Sequence, residues 1–462
     1  METYLEKLLS QIRCKKARPY IAEELRGHME SQIEDNLSAG MTAEEAEKNA
    51  VTDMGDPVEV GISLDRIHKP QIAWKLLVIV GILSLLGILL QQSILSQPGY
   101  QDLEIGLQER YRYAAEGFGA AVAIGFLLMC VIYFLDYTVI AKYSRFIGGA
   151  ILILGGLHIA GFGGFDYVNG IGNWIGFGRL RVSVTSLMMF YVPIYGAILY
   201  KYRDGGILAL CRAILWLILP VFITSRIPSL GVAVIIMVSM LIELTVAVWK
   251  GWFKLPVKKT LICLWMLFAV VPVLLLAGMY ALHMLEVYQE ARIRSYLTAS
   301  GDANYMTSML HKFNENILLW GNSGKDVVGG LPEFNQDYIF SYILNSYGMI
   351  AGILVAALLA ALVVFLFGAS VRQKNELGMV MGFGCGMIIL LNVFLNFAGI
   401  FGWIPLTTTF LPFLSAGKNN ILLCYALVGI ILSIYRYKDV YPKKFKASQV
   451  AFQKTITLNL NM

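Results

Sequence analysis

Apolar stretches of about twenty residues recur ten times along this chain, and nothing else in it constrains the fold so strongly. They lie near 72–92, 115–136, 146–163, 183–200, 206–224, 229–249, 259–284, 338–367, 377–401 and 419–435. About twenty apolar residues is the length a helix needs to cross hydrocarbon, where every backbone amide must find its partner inside the segment. The expected fold is therefore all-α, a polytopic membrane protein with ten transmembrane helices. Composition agrees: 57% of residues are hydrophobic and only 15% charged, against about 25% charged in a soluble domain. Gly, Pro and short connectors blur the ends of the third to fifth stretches.

Lys and Arg in the short loops set the expected orientation. Lys142 and Arg145, Lys201 and Arg203, Lys250 to Lys259, Arg372 and Lys374, and Arg436 to Lys446 fall on one side. That side is read as cytoplasmic, with both termini on it and the long 285–337 loop outside. Met1 to Arg13 lacks a basic start, an apolar core and a small-residue cleavage site, so no signal peptide is expected. The six cysteines show neither metal-ligand spacing nor a place in a long polar loop, and read as small apolar packers.

Three regions follow: a polar head over 1–70, a ten-span membrane domain over 71–440, and a tail over 441–462. The head reads as a compact helical unit. Leu5, Leu8, Leu9 and Ile12 form one stripe, and Ile21, Leu25, Met29, Ile33 and Leu37 a second at helical spacing. Gly40 ends the second helix, and Thr42 to Glu45 fits a capping box opening a third. Met54-Gly55-Asp56-Pro57 precedes a last short helix. His28 beside Glu24 reads as a solvated face rather than a metal pair. The abundant acidic residues suit a cytoplasmic docking or regulatory module.

Asp337 is the residue where chemistry is first expected. It stands where the long loop re-enters an apolar run, as Pro332-Glu333-Phe334-Asn335-Gln336-Asp337-Tyr338-Ile339-Phe340. A carboxylate at a membrane boundary stays charged only if water, a partner or a substrate reaches it. Taken alone it reads as a helix-start cap facing water before it reads as a catalytic group. Glu243, inside the sixth span, is read as a cavity residue, a partner of Arg212, or a snorkelling structural acid. His158 and His283 read as packing residues.

The order of these motifs on ten spans resembles the SEDS family (shape, elongation, division and sporulation), which includes FtsW, RodA and SpoVE. The segment Pro332 to Phe340 is similar to the family's Pro-Glu-x-x-x-Asp-Phe-Ile-Phe. Pro405-Leu406-Thr407-Thr408-Thr409-Phe410-Leu411-Pro412-Phe413-Leu414-Ser415-Ala416-Gly417 is similar to its motif before the last span. Asn392 and Asn396, and Pro228-Ser229-Leu230-Gly231, resemble two further family segments. The resemblance covers about 72–440. The head resembles a small signalling or permease-prefix domain, which typical SEDS proteins lack.

The resemblance implies a peptidoglycan glycosyltransferase that polymerises lipid II at the outer membrane face. It also implies a partner transpeptidase of the class B penicillin-binding type, and no nucleic acid. A sugar hydroxyl must lose a proton as it attacks an anomeric carbon, and a carboxylate in a partly dry cavity can accept it. Asp337 matches the family's essential aspartate and is the expected general base. The lipid pyrophosphate leaving group needs neutralising, for which Arg179, Arg181, Arg226 or a divalent cation are candidates. Trp174, Glu333, Thr407, Ser415 and Lys418 complete the candidate substrate-binding set.

The chain also departs from the family. Where the family carries a Glu and a Lys entering the fourth span, this chain has Ser186 and Met189. Asn345-Ser346-Tyr347-Gly348 replaces Glu-Glu-Leu-Gly, Ser229 replaces an Asp, and Thr408 replaces a Gly. Three readings stay open: a divergent lipid II polymerase, a non-catalytic protein that binds a lipid-linked precursor or a partner and signals through the head, and a flippase. The last requires a continuous polar path faced by Glu243 and Arg212.

Overall fold

The structure, a computed structural model, describes residues 1–161, 165–168, 171–177, 180–227, 230–282, 305–404 and 406–443. Arg179, Pro228, Ser229, His283, Pro405, part of the long loop and most of the tail lie outside the described residues.

The head forms four helices: α1 (Glu2–Ser10), α2 (Arg18–Ser38), α3 (Ala43–Asp53) and α4 (Pro57–His68). Leu5, Leu8, Ile12, Ile21, Met29, Ala46 and Ala50 are buried. Thr42 and Glu45 cap α3 reciprocally. The α2 stripe frays at its end, where Leu37 is exposed. Asp65 of α4 is buried and accepts from the Arg13 amide at 2.8 Å, and the guanidinium pairs with it at 2.7 Å. This pairing holds the Asp65 carboxyl below its ordinary range.

The first part of the membrane domain runs α5 (Trp74–Ile94), α6 (Pro98–Gln101), α7 (Ile105–Phe134), α8 (Tyr137–Lys142), α9 (Ser144–Ile159), α10 (Val184–Tyr200), α11 (Ile207–Arg226) and α12 (Leu230–Trp249). Then come α13 (Val257–Trp265), a π-helical turn (Met266–Val270) and α14 (Val271–Ala281). The rest is α15 (Tyr305–Asn314), α16 (Val327–Gly330), α17 (Ile339–Tyr347), α18 (Met349–Val371), α19 (Glu376–Ile400) and α20 (Lys418–Arg436). Among the described residues, eight helical runs are long and apolar enough to cross a membrane. Two shorter apolar helices, α9 and α10, stand where the third and fourth spans are expected. Almost every residue of α10 is buried, with α9, α11, α12, α19 and α20 packed around it.

Four local expectations are revised. The second span begins at Ile105 rather than near 115, so Glu109, Arg110, Arg112 and Glu116 are helical. These are good helix formers, and Arg112 lies 4.0 Å from both Glu109 and Glu116, one helical turn either way. As a small exception to the all-α expectation, the glycine-rich 162–182 segment carries strands β1 (Phe165–Val168), β2 (Ile171–Phe177) and β3 (Leu180–Ser183), paired antiparallel in that order. The seventh span contains the π turn just before Pro272, whose ring and missing N–H disturb the regular ladder.

The eighth span is the fourth revision, because it is broken in two. Gly348 separates α17 from α18 at φ +91°, a left-handed conformation that favours glycine. The loop at 318–323 fills the break: Met349 and Ile350 amides donate to Leu318 and Leu319 carbonyls, and Gly321 and Ser323 amides to Tyr347 and Asn345 carbonyls. A Cβ at Gly348 would lie 2.8 Å from the Trp320 backbone.

The turns at one end of the bundle are stitched together. Trp252 donates to Glu376 at 3.1 Å, Lys201 to the Lys142 carbonyl at 2.8 Å, and Asn375 to the Pro442 carbonyl at 2.7 Å. The head sits at this end.

Candidate active site

At the other end of the bundle, the turn Glu333–Tyr338 is held by three successive carbonyls, each tied to a different element. The Asn335 carbonyl accepts from Gln91 of α5 at 3.1 Å and from the Ala416 amide at 2.8 Å. The Gln336 carbonyl accepts from the Ser415 hydroxyl at 2.7 Å. The Asp337 carbonyl accepts from Asn396 of α19 at 2.7 Å. Phe334 anchors the turn from below, fully buried against the rings of Tyr111 at 4.9 Å and Tyr342 at 5.7 Å. A turn fixed at three successive carbonyls presents its side chains in one geometry, which is what a reacting group requires.

The Asp337 side chain is half-buried, and among the described residues nothing hydrogen-bonds its carboxylate. Burial, reinforced by the nearby Glu333 carboxylate, raises its pKa to about 7. An acid so placed exchanges a proton near neutral pH, the range where a general base works best. Glu333 is held away by Arg110 at 2.7 Å and by Gln336 at 2.9 Å. It also has φ +51°, a strained value for a non-glycine residue, at a place where strain marks a tightly determined turn.

A second cluster adjoins the first through α7. Arg110 and Tyr113 are three residues apart, hence neighbours on one face of that helix. The Lys418 ammonium lies 4.1 Å from the Tyr113 ring centre. Asn419 donates to the Arg181 carbonyl at 3.4 Å, and Ser186 donates to Asn420 at 3.1 Å. The start of α20, the β3 strand and the start of α10 thus meet beside α7. Gly106, Glu109, Arg110, Arg112, Tyr113 and Glu116 line an open depression there.

The expected site residues fall into groups. Asp337 and Glu333 share the turn, while Lys418 and Arg181 belong to the adjoining cluster. Ser415 is buried, donating to Gln336 and accepting from the Leu411 amide at 2.9 Å, so its hydroxyl supports the turn rather than facing substrate. Thr407 is half-buried beside Gly231, with its hydroxyl oxygen enclosed and unpartnered among the described residues. Trp174 is half-buried in β2, paired with Asp166 and Ser183. Arg226 is exposed at the end of α11. Arg179 lies outside the described residues. Among the described residues no three His, Cys, Asp or Glu side chains gather to hold a metal ion.

Arg110, Tyr113, Gln91 and Asn396 are the contributors that sequence reasoning passed over or left unassigned. The first two had a signal: Arg-Tyr-Arg-Tyr between glutamates, at the edge of an apolar run. At the two positions that depart from the family, Ser186 bonds Asn420, and buried Met189 sits with its sulfur 3.9 Å from Asn392. Glu243 is wholly buried with both oxygens unpartnered among the described residues, pressed against Gly196 and Gly384. Arg212 is exposed, so the expected Glu243–Arg212 pair does not form.

Residues 74–440 match the family described as cell cycle protein, FtsW/RodA/SpoVE. The chain belongs to that family. Among its relatives, the probable peptidoglycan glycosyltransferase FtsW of Enterococcus hirae is 26% identical over 313 residues, covering 64% of this chain and 75% of that protein. The peptidoglycan glycosyltransferase MrdB of Escherichia coli (strain K12) is 23% identical over 290 residues, 59% of this chain and 73% of that one. The same FtsW/RodA/SpoVE fold is seen in solved structures. A chain from a structure of a peptidoglycan synthase complex that coordinates polymerization and crosslinking superposes with TM-score 0.63 at 20% identity, over 80% of this chain and 98% of that one. The rod shape determining protein RodA of Thermus thermophilus gives TM-score 0.53 at 18% identity, over 79% and 97%. This FtsW/RodA/SpoVE protein is thus a multi-pass bacterial membrane protein.

Proposed function

We propose that this protein is a peptidoglycan glycosyltransferase that polymerises lipid II at the outer face of the cytoplasmic membrane, in division, elongation or sporulation. The observation that carries the reading is Asp337: a carboxyl raised to about 7, in a turn tied at three consecutive carbonyls, with no hydrogen bond to it among the described residues. The relatives named peptidoglycan glycosyltransferase support the same chemistry.

In the proposed step, the Asp337 carboxylate takes the proton of the acceptor sugar hydroxyl. The freed oxygen forms a bond to the anomeric carbon of the donor sugar, and the bond from that carbon to the lipid pyrophosphate breaks. One displacement inverts the anomeric centre, and the pyrophosphate leaves with its electron pair. Lys418 and Arg181 are the cations proposed to offset its charge, with a divalent cation as the other means. Lys418 stands two residues from Asn420, which Ser186 contacts at the position of the family's Glu. A class B penicillin-binding-type transpeptidase is the proposed partner. The basic loops support cytoplasmic termini, and residues 1–70 are the proposed site for a regulatory partner.

The uncharged pair Ser186 and Met189 favours a second reading, in which the protein binds the precursor or a partner without turning it over. The flippase reading loses its support, since sealed Glu243 and exposed Arg212 do not line one path. Reconstitution in liposomes with lipid II and the transpeptidase separates the remaining two. Glycan strands are expected; lipid II binding with no strands would establish the second reading instead.

A further inference from the structure

The head and the candidate site lie at opposite ends of the same two helices. Helices α7 and α20 run parallel and in close contact: Gly117 meets Lys418, Gly125 meets Tyr425, and Gly429 meets Ile132 and the Met129 carbonyl. A Cβ at Gly125 would lie 2.2 Å from Tyr425, so the helices approach as closely as small residues permit. Ser433 of α20 donates to the Leu135 carbonyl at 2.8 Å and accepts from the Tyr137 amide at 3.1 Å, joining their lower ends. From Arg110 to Phe134, two residues before Asp136, the path is about 36 Å of helix, at about 1.5 Å per residue.

The lower ends of this pair are where the head docks. Asp136 is buried, and Lys16 of the head donates to it at 2.7 Å, while the same ammonium lies 3.3 Å from the Tyr437 hydroxyl. Asp136 also accepts from the Thr138 amide at 2.9 Å and from the Tyr441 hydroxyl. Burial and the Asp136 charge push the Tyr441 phenol up, so it stays a donor. Tyr20 of the head packs edge-on against Tyr441 at 5.8 Å. Around them the Gln71 amide donates to the Arg436 carbonyl at 3.1 Å, and its side chain to Asp439 at 3.1 Å. Polar contacts of this kind suit reversible docking between domains rather than a permanent core.

We propose that the head is a clamp: Lys16 on Asp136 holds the bases of α7 and α20, and this sets the position of Arg110 and Lys418 at their far ends. Replacing Lys16 under the docked head leaves Asp136 buried without its countercharge, a costly state that is relieved only by loosening the contact. The strain then passes along a rigid, closely packed helix pair to the Arg110–Glu333 contact and the Lys418–Tyr113 contact. A cytoplasmic partner that lifts the head would thereby act on the site without touching it. The proposal concerns coupling and stands whether or not the site polymerises lipid II.

Amide hydrogen exchange on the full chain in nanodiscs tests it, comparing the parent with Lys16→Met, Lys16→Glu and Lys16→Arg. The expected result is exchange roughly tenfold faster, for both Met and Glu variants, at the head's docking face and also at 333–338 and 415–421. Lys16→Arg, which keeps the charge, is expected to restore the parent pattern. Faster exchange confined to the head would overturn the coupling, as would no change anywhere. Equal loss of protection in Ile207–Arg226 and Val257–Trp265, which pack against neither α7 nor α20, would also overturn it.

Discussion

Asp337 and Glu243 are both carboxylates set deep in an apolar protein, and they differ in everything else. Asp337 sits in a turn at the end of the bundle, half-buried, with Glu333, Arg110 and a cationic cluster nearby. Glu243 sits mid-helix between α10 and α19, wholly enclosed, with glycines at 196 and 384 making room for its carboxyl. Asp337 has a rigid turn and a side chain only half-buried; Glu243 has only a fitted socket. Burial of an acid is therefore not by itself a sign of chemistry. What separates the two is access, and neighbours that fix the group's position and tune its charge.

The largest contrast is expected from Asp337→Asn, which removes the proposed base while keeping its shape. Strand synthesis should fall by about 10²–10⁴-fold, the usual worth of a general base, measured by glycan gel with the protein still monodisperse. Next comes the support: Ser415→Ala leaves the Gln336 carbonyl and the Leu411 amide without partners. It should cost about 1–3 kcal/mol by thermal unfolding, and activity should drop with it. An unchanged melting temperature would show that the turn is held otherwise.

A subtler effect is expected in pH dependence. Asp337 must be ionised to accept a proton, so the rate should fall as pH drops through about 7. Glu333→Gln removes one cause of the raised pKa, and the acid limb should move to lower pH. The stability sign follows from the same shift. A carboxyl raised above its unfolded value contributes stability below about pH 4, and this is lost as pH rises through about 7. Asp337→Asn should therefore melt higher than the parent at pH 8 and alike at pH 4. The smallest effect is expected at Glu243→Gln: near-parent activity, and stability equal or greater, because a buried acid without a partner is replaced by a neutral amide of the same size.

Much of the membrane domain was legible because hydrocarbon permits so few backbone solutions. What escaped was local and tertiary. The start of α7 at Ile105 is hidden in the sequence because charged residues usually mark the end of a span, whereas here the helix continues past the apolar band. The strands at 165–183 were masked by glycine. The break at Gly348 depends on a loop arriving from 318–323, which no periodicity reports. Within the site, Asp337 was visible from its flanking motif, as was the importance of the segment around Ser415. Its bracing contacts were not: Ser415 and Ala416 hold the turn through the Gln336 and Asn335 carbonyls. Arg110 and Tyr113 could be placed only by knowing which face of α7 meets Glu333 and Lys418.

The most direct test sets the two acids side by side in one assay. Parent, Asp337→Asn and Glu243→Gln proteins are reconstituted with lipid II and the transpeptidase, and strand synthesis is followed. Loss at Asp337→Asn with near-parent synthesis at Glu243→Gln is the predicted result. Undiminished synthesis by Asp337→Asn, or equal loss in both, would contradict the assignment of Asp337 as the base.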